Sequence, residues 1–194
     1  MNVVNRERML YEEVWGIPGY GDFSPGEQYL PAFLDMLAIQ PVVAAPPRDC
    51  TVLDAGCGSG KGALALQQAG FTVTCLDITD EGLLPEAERF PFIESPLWEP
   101  LAPTHDYVYC TDVLEHIPPQ FTMLVVQRLR EAATCGVFLS ISLVPDQFGV
   151  FLGQPLHQTV QPYSWWLENL STLGEVIESR DLGITGLYFL RGAA

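Results

Sequence analysis

The stretch Val52-Leu53-Asp54-Ala55-Gly56-Cys57-Gly58-Ser59-Gly60 constrains the fold of this 194-residue chain more than any other. A short apolar run meets an acid, and three glycines follow at alternate positions. Glycine lets a backbone turn tightly and lets a ligand approach with no Cβ in the way. Such a turn suits the carboxyl end of a parallel strand under a nucleotide-like ligand. Three nucleotide loops compete for it. A phosphate-binding P-loop needs Gly, four residues, then Gly-Lys-Ser/Thr. With Gly60-Lys61 as its second half, the first glycine falls on Ala55 and the hydroxyl on Gly62, so it fails twice. A dinucleotide GxGxxG/A fingerprint fits formally at Gly58, Gly60 and Ala63, but the turn has already opened at Gly56. The third form, acid-x-Gly-x-Gly-x-Gly, is met at every position from Asp54 to Gly60.

The next segment fits a βαβ unit. A helical stretch from Gly62 to Ala69 is stopped by Gly70, a residue type that ends helices in a left-handed conformation. Phe71-Thr72-Val73-Thr74-Cys75-Leu76 reads as a buried parallel strand. It ends in Asp77, on the order of 20 residues past the turn, where an acid binds ribose hydroxyls. A carboxylate accepts two hydroxyl donors at once, and its charge strengthens both bonds. Its other use there is to cap the next helix.

Together with Phe92-Ile93-Glu94-Ser95-Pro96-Leu97-Trp98 and Tyr107-Val108-Tyr109-Cys110-Thr111-Asp112-Val113-Leu114-Glu115-His116-Ile117-Pro118, these segments resemble the class I (Rossmann-like) S-adenosylmethionine (SAM) methyltransferases. The ends of the chain, Tyr11 onward (YEEVWGIPGYGDFSPGEQYL) and Leu156 to Trp166 (LHQTVQPYSWW), resemble small phage and bacterial members of that group. The resemblance implies an α/β fold, a Rossmann-like three-layer sandwich. It has a mostly parallel seven-stranded sheet, a C-terminal antiparallel hairpin and an N-terminal helical extension. It implies that Asp54, Ala55, Gly56, Cys57, Gly58 and Gly60 hold the cofactor from below and that Asp77 and Ile78 take its ribose. The resemblance also implies that Ser95, Leu97 and Trp98 meet the adenine and that Thr111, Asp112, Val113 and His116 line the methionine moiety. The family often has Asp before the Leu-Trp pair, where this chain has Glu94 and Ser95. The resemblance supplies a reaction type and no acceptor. Amino-methylating DNA enzymes carry Asp/Asn-Pro-Pro-aromatic after the fourth strand, where this chain has Thr111-Asp112-Val113-Leu114. Cytosine-C5 enzymes need a Pro-Cys nucleophile, and no cysteine here follows a proline.

Charge narrows the partners. Nine basic residues against 24 acidic ones leave a formal charge of −15. Nucleic-acid binding rests on Lys and Arg neutralising phosphates, so nucleic acid is disfavoured as acceptor. The tight basic pairs are Arg6 with Arg8 and Arg128 with Arg130. The acidic surface suits a neutral or cationic acceptor, a small molecule or peptide-like group, or serves plain solubility. The five cysteines show no CxxC spacing and read as small core residues of a reducing compartment. No metal-ligand cluster is visible in the spacing. The first residues are polar and charged, unlike a secretory signal. No apolar run reaches the roughly 18 residues of a membrane span. A cytoplasmic chain with no membrane partner is expected.

A chain of 194 residues fits one domain with a large core. Residues 1–49 form an extension, with an amphipathic helix from Glu27 to Ile39 carrying Leu30, Phe33, Leu34 and Leu37 inward. Ser24-Pro25 caps it, and Pro41, Pro46 and Pro47 make a stiff connector. The cofactor-binding core spans 50–144, with strands near 51–54, 72–76, 90–93, 107–110 and 136–142 and a helix from Phe121 to Ala133. Residues 145–163 form an insert over the site. In 164–194, Ser164 caps a helix that Gly174 stops, and Val176–Ser179 pairs with Thr185–Leu190.

Catalytic candidates must lie at the carboxyl ends of the strands. Asp112 can touch the SAM amino group, orient an acceptor, or cap a helix. His116 can act as a general base or pack beneath the cofactor. His157, in the insert, can be a base, an acceptor contact or a loop histidine. Asp146 lies where acceptor residues often do. Tyr11, Trp15 and Tyr20 can form a lid, since aromatic faces attract sulfonium as they do ammonium; hydrophobic docking of the extension is the other role for them. Trp165 and Trp166 read as core and rim. The leading function is methyl transfer from SAM, with S-adenosylhomocysteine (SAH) as product. The alternatives are an NAD(P)-dependent Rossmann oxidoreductase, a SAM-binding partner without catalysis, and another SAM-using alkyl transferase or lyase.

Overall fold

A computed structural model describes residues 2–39, 50–102 and 104–193. The proline connector predicted around Pro41, Pro46 and Pro47 lies outside the described residues. Seven strands form one sheet: β1 (Thr51–Ala55), β2 (Thr72–Asp77), β3 (Phe92–Glu94), β4 (His105–Thr111), β5 (Ala133–Ser142), β6 (Val176–Asp181) and β7 (Thr185–Arg191). Their spatial order is β3-β2-β1-β4-β5-β7-β6. The first five pair in parallel, and β7 runs antiparallel to both β5 and β6. From β1 the chain winds first toward β2 and β3, then crosses to β4. The strand order therefore switches between β1 and β4, and ligands of open α/β sheets bind outside the carboxyl ends at such a point.

The central strands are buried on both faces. Helices α3 (Leu30–Ala38) and α4 (Lys61–Gln68) cover one face, where Phe33 and Leu66 pack with Tyr109, Phe138 and Phe189. Helices α5 (Thr122–Glu131) and α6 (Tyr163–Leu173) cover the other, where Val125, Leu129, Trp166 and Leu170 pack with Val108, Leu139 and Tyr188. Two further helices, α1 (Val3–Trp15) and α2 (Pro25–Gln28), belong to the N-terminal extension. Trp166 is core and Trp165 packs half-buried beside it.

Several local expectations need correction. The helix read from Glu27 to Ile39 is two helices that break at Tyr29. Pro31 sits in the first turn of α3, and in a continuous helix its ring would strike the carbonyl four residues back. Ser24 does cap α2, accepting from the Glu27 N–H. Ser164 caps nothing; α6 starts one residue earlier, at Tyr163, with Pro162 at the cap. Asp112 is not a helix cap either, since the 3₁₀ turn Leu114–His116 starts from Val113 without a side-chain cap. Strand β5 starts at Ala133, three residues earlier than read, because Ala133 pairs with His105. Cys135 is therefore in the strand and exposed, while the other four cysteines are buried. Helix α1 went unread: charged residues alternate with its apolar ones, and its buried positions are Glu7 and Val14.

Candidate active site

The glycine turn after β1 builds the floor of a cavity of about 390 Å³, in the size range of small-ligand sites. Gly56 has φ 77°, and a Cβ there would lie 2.4 Å from Val113. Gly58 has φ 50°, and its Cβ would lie 2.9 Å from the Trp15 ring. Both positions thus demand glycine twice over, for backbone conformation and for close approach. Asp77, at the end of β2, accepts from the Gly58 N–H at 2.8 Å and the Ile78 N–H at 2.7 Å. An ionised carboxylate has about four acceptor positions, so two remain for hydroxyl donors. Asp54 lies under the turn, 3% exposed, with its Oδ2 unpaired among the described residues.

The extension roofs the cavity. Arg8 of α1 donates to the Ile78 carbonyl at 3.1 Å and pairs with Glu94 at 2.7 Å. Lys61 donates to the Gly21 carbonyl at 2.8 Å. Trp15 stacks edge-on to Tyr20 at 5.0 Å, and Tyr20 edge-on to Phe148 of the insert at 5.4 Å. The Tyr11 hydroxyl meets His116 Nδ1 at 2.8 Å. Gln158 donates to Glu7 and to the His116 carbonyl, each at 3.1 Å, which ties α1, the β4 loop and the insert together.

The far wall is polar. Asp112 follows β4 in the left-handed region, φ 58°, with its N–H on the Ser140 carbonyl at 2.9 Å. His116 and His157 stand with ring centres 4.6 Å apart and planes at 82°. His157 Nδ1 lies 2.6 Å from the Val144 carbonyl. Asp146 holds the insert by accepting from the Leu156 and His157 N–H groups at 2.8 and 3.2 Å. Fully buried beneath is Glu115, whose Oε1 accepts from the Ser142 N–H at 2.5 Å.

Burial sets the protonation of the site. It pushes Asp77 up to about 6, against the backbone N–H groups that favour the ion. Burial and the charge of Asp77 push Asp54 up to about 7. Glu115 is raised well above the carboxylate range by burial and by Asp112. His116 is lowered to about 4 by burial and by His157, against Asp112, Asp146 and the Leu156 carbonyl, so it is neutral at pH 7. Burial raises Tyr11 and Tyr20, which stay protonated. Burial also opposes ionisation of Asp146, but the Gly149, His157 and Leu156 N–H groups outweigh it and hold that carboxyl below its ordinary value.

Most sequence-read residues meet at this cavity: Asp54, Gly56, Cys57, Gly58, Asp77, Ile78, Ser95, Leu97, Trp98, Thr111, Asp112, Val113, His116, Trp15 and Tyr20, with His157, Tyr11 and Asp146. Ala55 and Gly60 are not in its wall. Ala55 is fully buried in β1. Gly60 is the N-cap of α4 and packs against Ala87, where a Cβ would lie 2.4 Å away. Sequence reading missed Glu7, Phe148 and the Ser24-Pro25-Gly26 turn, which also line the cavity. The proline cap of α2 was visible, but nothing local placed it beside a loop from β1.

Five parallel strands closed by an antiparallel β7, a glycine turn at the switch point and an acid on the next strand together give the architecture of a class I methyltransferase. A family model described as a methyltransferase domain matches residues 27–182, and the chain belongs to that family. It is 34% identical over 83 residues to a ubiquinone biosynthesis O-methyltransferase of Vibrio parahaemolyticus; that match covers 38% of this chain and 35% of the relative, so the chain spans only about a third of it. Among solved structures, it resembles magnesium protoporphyrin IX methyltransferase from Synechocystis PCC 6803 with bound SAH. The TM-score is 0.66 at 19% identity, covering 99% of this chain and 95% of that one. A DhpI–SAH complex superposes with TM-score 0.68 at 16% identity, covering 99% and 98%. At these identities the two structures speak for the fold.

Proposed function

We propose that the chain transfers a methyl group from SAM to a neutral or cationic acceptor, a small molecule or a peptide-like group. The observation that carries the cofactor is Asp77 beside the glycine floor: a half-buried carboxylate, anchored by two N–H groups, with acceptor capacity left for ribose hydroxyls. Ile78 would flank the ribose, and Ser95, Leu97 and Trp98 would take the adenine. Asp54, with its unpaired Oδ2, and Thr111, Asp112 and Val113 would meet the methionine moiety. Bound SAM supplies an activated methyl on a sulfonium. The chain supplies orientation and a water-poor enclosure, with Trp15, Tyr20 and Tyr11 presenting aromatic faces to the cation.

The acceptor reading rests on the cavity wall. It holds Glu7, Asp54, Asp77, Asp112 and Asp146, and no Lys or Arg among the described residues. A carboxylate or phosphate acceptor would enter without a counter-charge. Tyr11 and Phe148 offer flat apolar contact, and Asp112, His116 and His157 form the polar face at which the acceptor atom would stand. Two imidazole nitrogens there can take the acceptor's proton, as expected of His116 and His157 as bases.

Calorimetry and thermal shift with SAM, SAH, decarboxylated SAM and NAD test this. SAM and SAH bind and stabilise, and NAD does not. NAD binding without SAM binding makes the chain an oxidoreductase, and no response to any SAM form removes the proposal. Label from methyl-tritiated SAM, incubated with a small-molecule extract, separates an enzyme from a binding partner.

The affinity for SAM also depends on pH in a fixed direction. Only ionised Asp77 accepts both hydroxyls, and in the free chain its pKa is about 6. Through Asp77, affinity falls roughly tenfold per unit well below pH 6. Calorimetry at pH 5.0 and 7.5 reads this; equal affinities would remove Asp77 from the ribose.

A further inference from the structure

We propose that Asp112, His116 and His157 form a site for a divalent transition-metal ion of the zinc, cobalt or iron(II) kind, set in the cavity wall. One ligand atom from each lies within 4.8 Å of those of the other two. Ligands about 2.0–2.2 Å from a shared ion stand roughly 3–4 Å apart, so small side-chain rotations close the set. Two imidazoles and a carboxylate suit these metals and disfavour magnesium or calcium, which take oxygen ligands. Three protein ligands leave coordination positions open, and all three line the same cavity, so the open side takes water or a neutral oxygen or nitrogen donor.

The outer hydrogen bonds carry the argument further. A carbonyl oxygen only accepts, so at 2.6 Å from the Val144 carbonyl the His157 Nδ1 bears the proton and its Nε2 presents a lone pair. His116 Nδ1 meets the Tyr11 hydroxyl at 2.8 Å, and the Leu156 carbonyl also faces this ring; with Nδ1 donating to Tyr11, an ion at Nε2 would take the place of the Leu156 contact. Metal-bound histidines are held in this way, with the second ring nitrogen donating to a fixed oxygen. The backbone is fixed too. The Glu115 carbonyl accepts from the Gln158 and Thr159 N–H groups at 2.7 and 2.9 Å, joining the segment that carries His116 to the one that carries His157. This site shares Asp112 with the proposed cofactor contacts and its two imidazoles with the proposed base role, and it is tested separately from them. With a metal bound, the imidazoles are ligands and cannot serve as bases.

The full chain, stripped with a chelator and verified metal-free, is titrated with Zn²⁺ by calorimetry and with Co²⁺ by visible absorption. A single ion binds with micromolar or tighter Kd, and the Co²⁺ bands report nitrogen ligation. His157→Ala and Asp112→Asn each weaken Zn²⁺ binding by tenfold or more, and Tyr11→Phe, which removes only an outer hydrogen bond, weakens it about tenfold. Circular dichroism confirms that each variant is folded. SAM titration of the same samples is read separately: Zn²⁺ binding without SAM binding supports this site and removes the cofactor reading. No Zn²⁺ binding at 100 µM, or binding that survives loss of both His116 and His157, overturns the proposal.

Discussion

Asp77→Asn weakens SAM binding by about a hundredfold, the largest loss of affinity from any single atom replacement in the site. Asparagine keeps the shape but offers one acceptor oxygen in place of two, and no charge. Hydrogen bonds to an ionised group contribute roughly 1.5–3 kcal/mol each, so weakening two of them by half reaches about two orders of magnitude. The anchoring bonds from Gly58 and Ile78 matter as well: they go to different oxygens, so the amide oxygen keeps one and the NH₂ cannot accept the other. The variant also loses the fall in affinity below pH 6, because its amide does not titrate. Calorimetry at pH 7.5 and 5.0 gives both readings. A variant that binds SAM within fivefold of the parent would place the ribose elsewhere.

The parts of the site that could be read from sequence are those encoded locally. The Asp54–Gly60 turn is a contiguous pattern whose glycines each answer a steric demand, and Asp77 follows one helix later at the end of a recognisable strand. What stayed hidden depends on distant contacts. Tyr11 and His116 are 105 residues apart in sequence and share a hydrogen bond. Asp112, His116 and His157 show no metal-ligand spacing, because an insert returns over the sheet to complete the set. Helix α1 alternates charge with apolar residues because it lies across the cavity, burying Val14 and packing Val3 and Val4 half-buried against the core. The break at Tyr29 could have been inferred from Pro31, but the run of apolar residues at helical spacing on both sides masked it. The early start of β5 at Ala133 reflects pairing with His105, since Ala-Ala-Thr reads as the end of a helix when taken alone.

Phe33→Ala lowers the stability of the fold by about 3–5 kcal/mol, as for other large-to-small changes at fully buried aromatic positions. Phe33 belongs to the N-terminal extension, yet its side chain is 0% exposed. Its ring centre lies 5.8 Å from that of Phe71, 5.9 Å from Tyr107, 5.2 Å from Tyr109, 5.4 Å from Phe138 and 6.4 Å from Phe189. These rings come from β4, β5, β7 and the turn before β2, so alanine leaves a cavity among rigid neighbours that cannot collapse into it. For a chain of this size each kcal/mol shifts Tm by roughly 2–4 °C, which predicts a drop of about 10 °C. Ile39, one residue past α3 and 64% exposed, is the control: Ile39→Ala stays within about 0.5 kcal/mol. The same substitution reaches the site. Tyr109 donates to the Gly26 carbonyl at 2.8 Å, and Gly26 packs against Gly62 of α4 so closely that a Cβ would come within 2.8 Å of it. Loosening α3 therefore loosens the Ser24-Pro25-Gly26 wall, and SAM affinity falls with stability although Phe33 touches no ligand. Thermal melts with and without SAM separate the two effects. A melt shifted by less than 2 °C would show that the extension docks without being part of the core, and an Asp77→Asn melt unchanged in its absence of SAM response would keep the cofactor assignment intact beside that result.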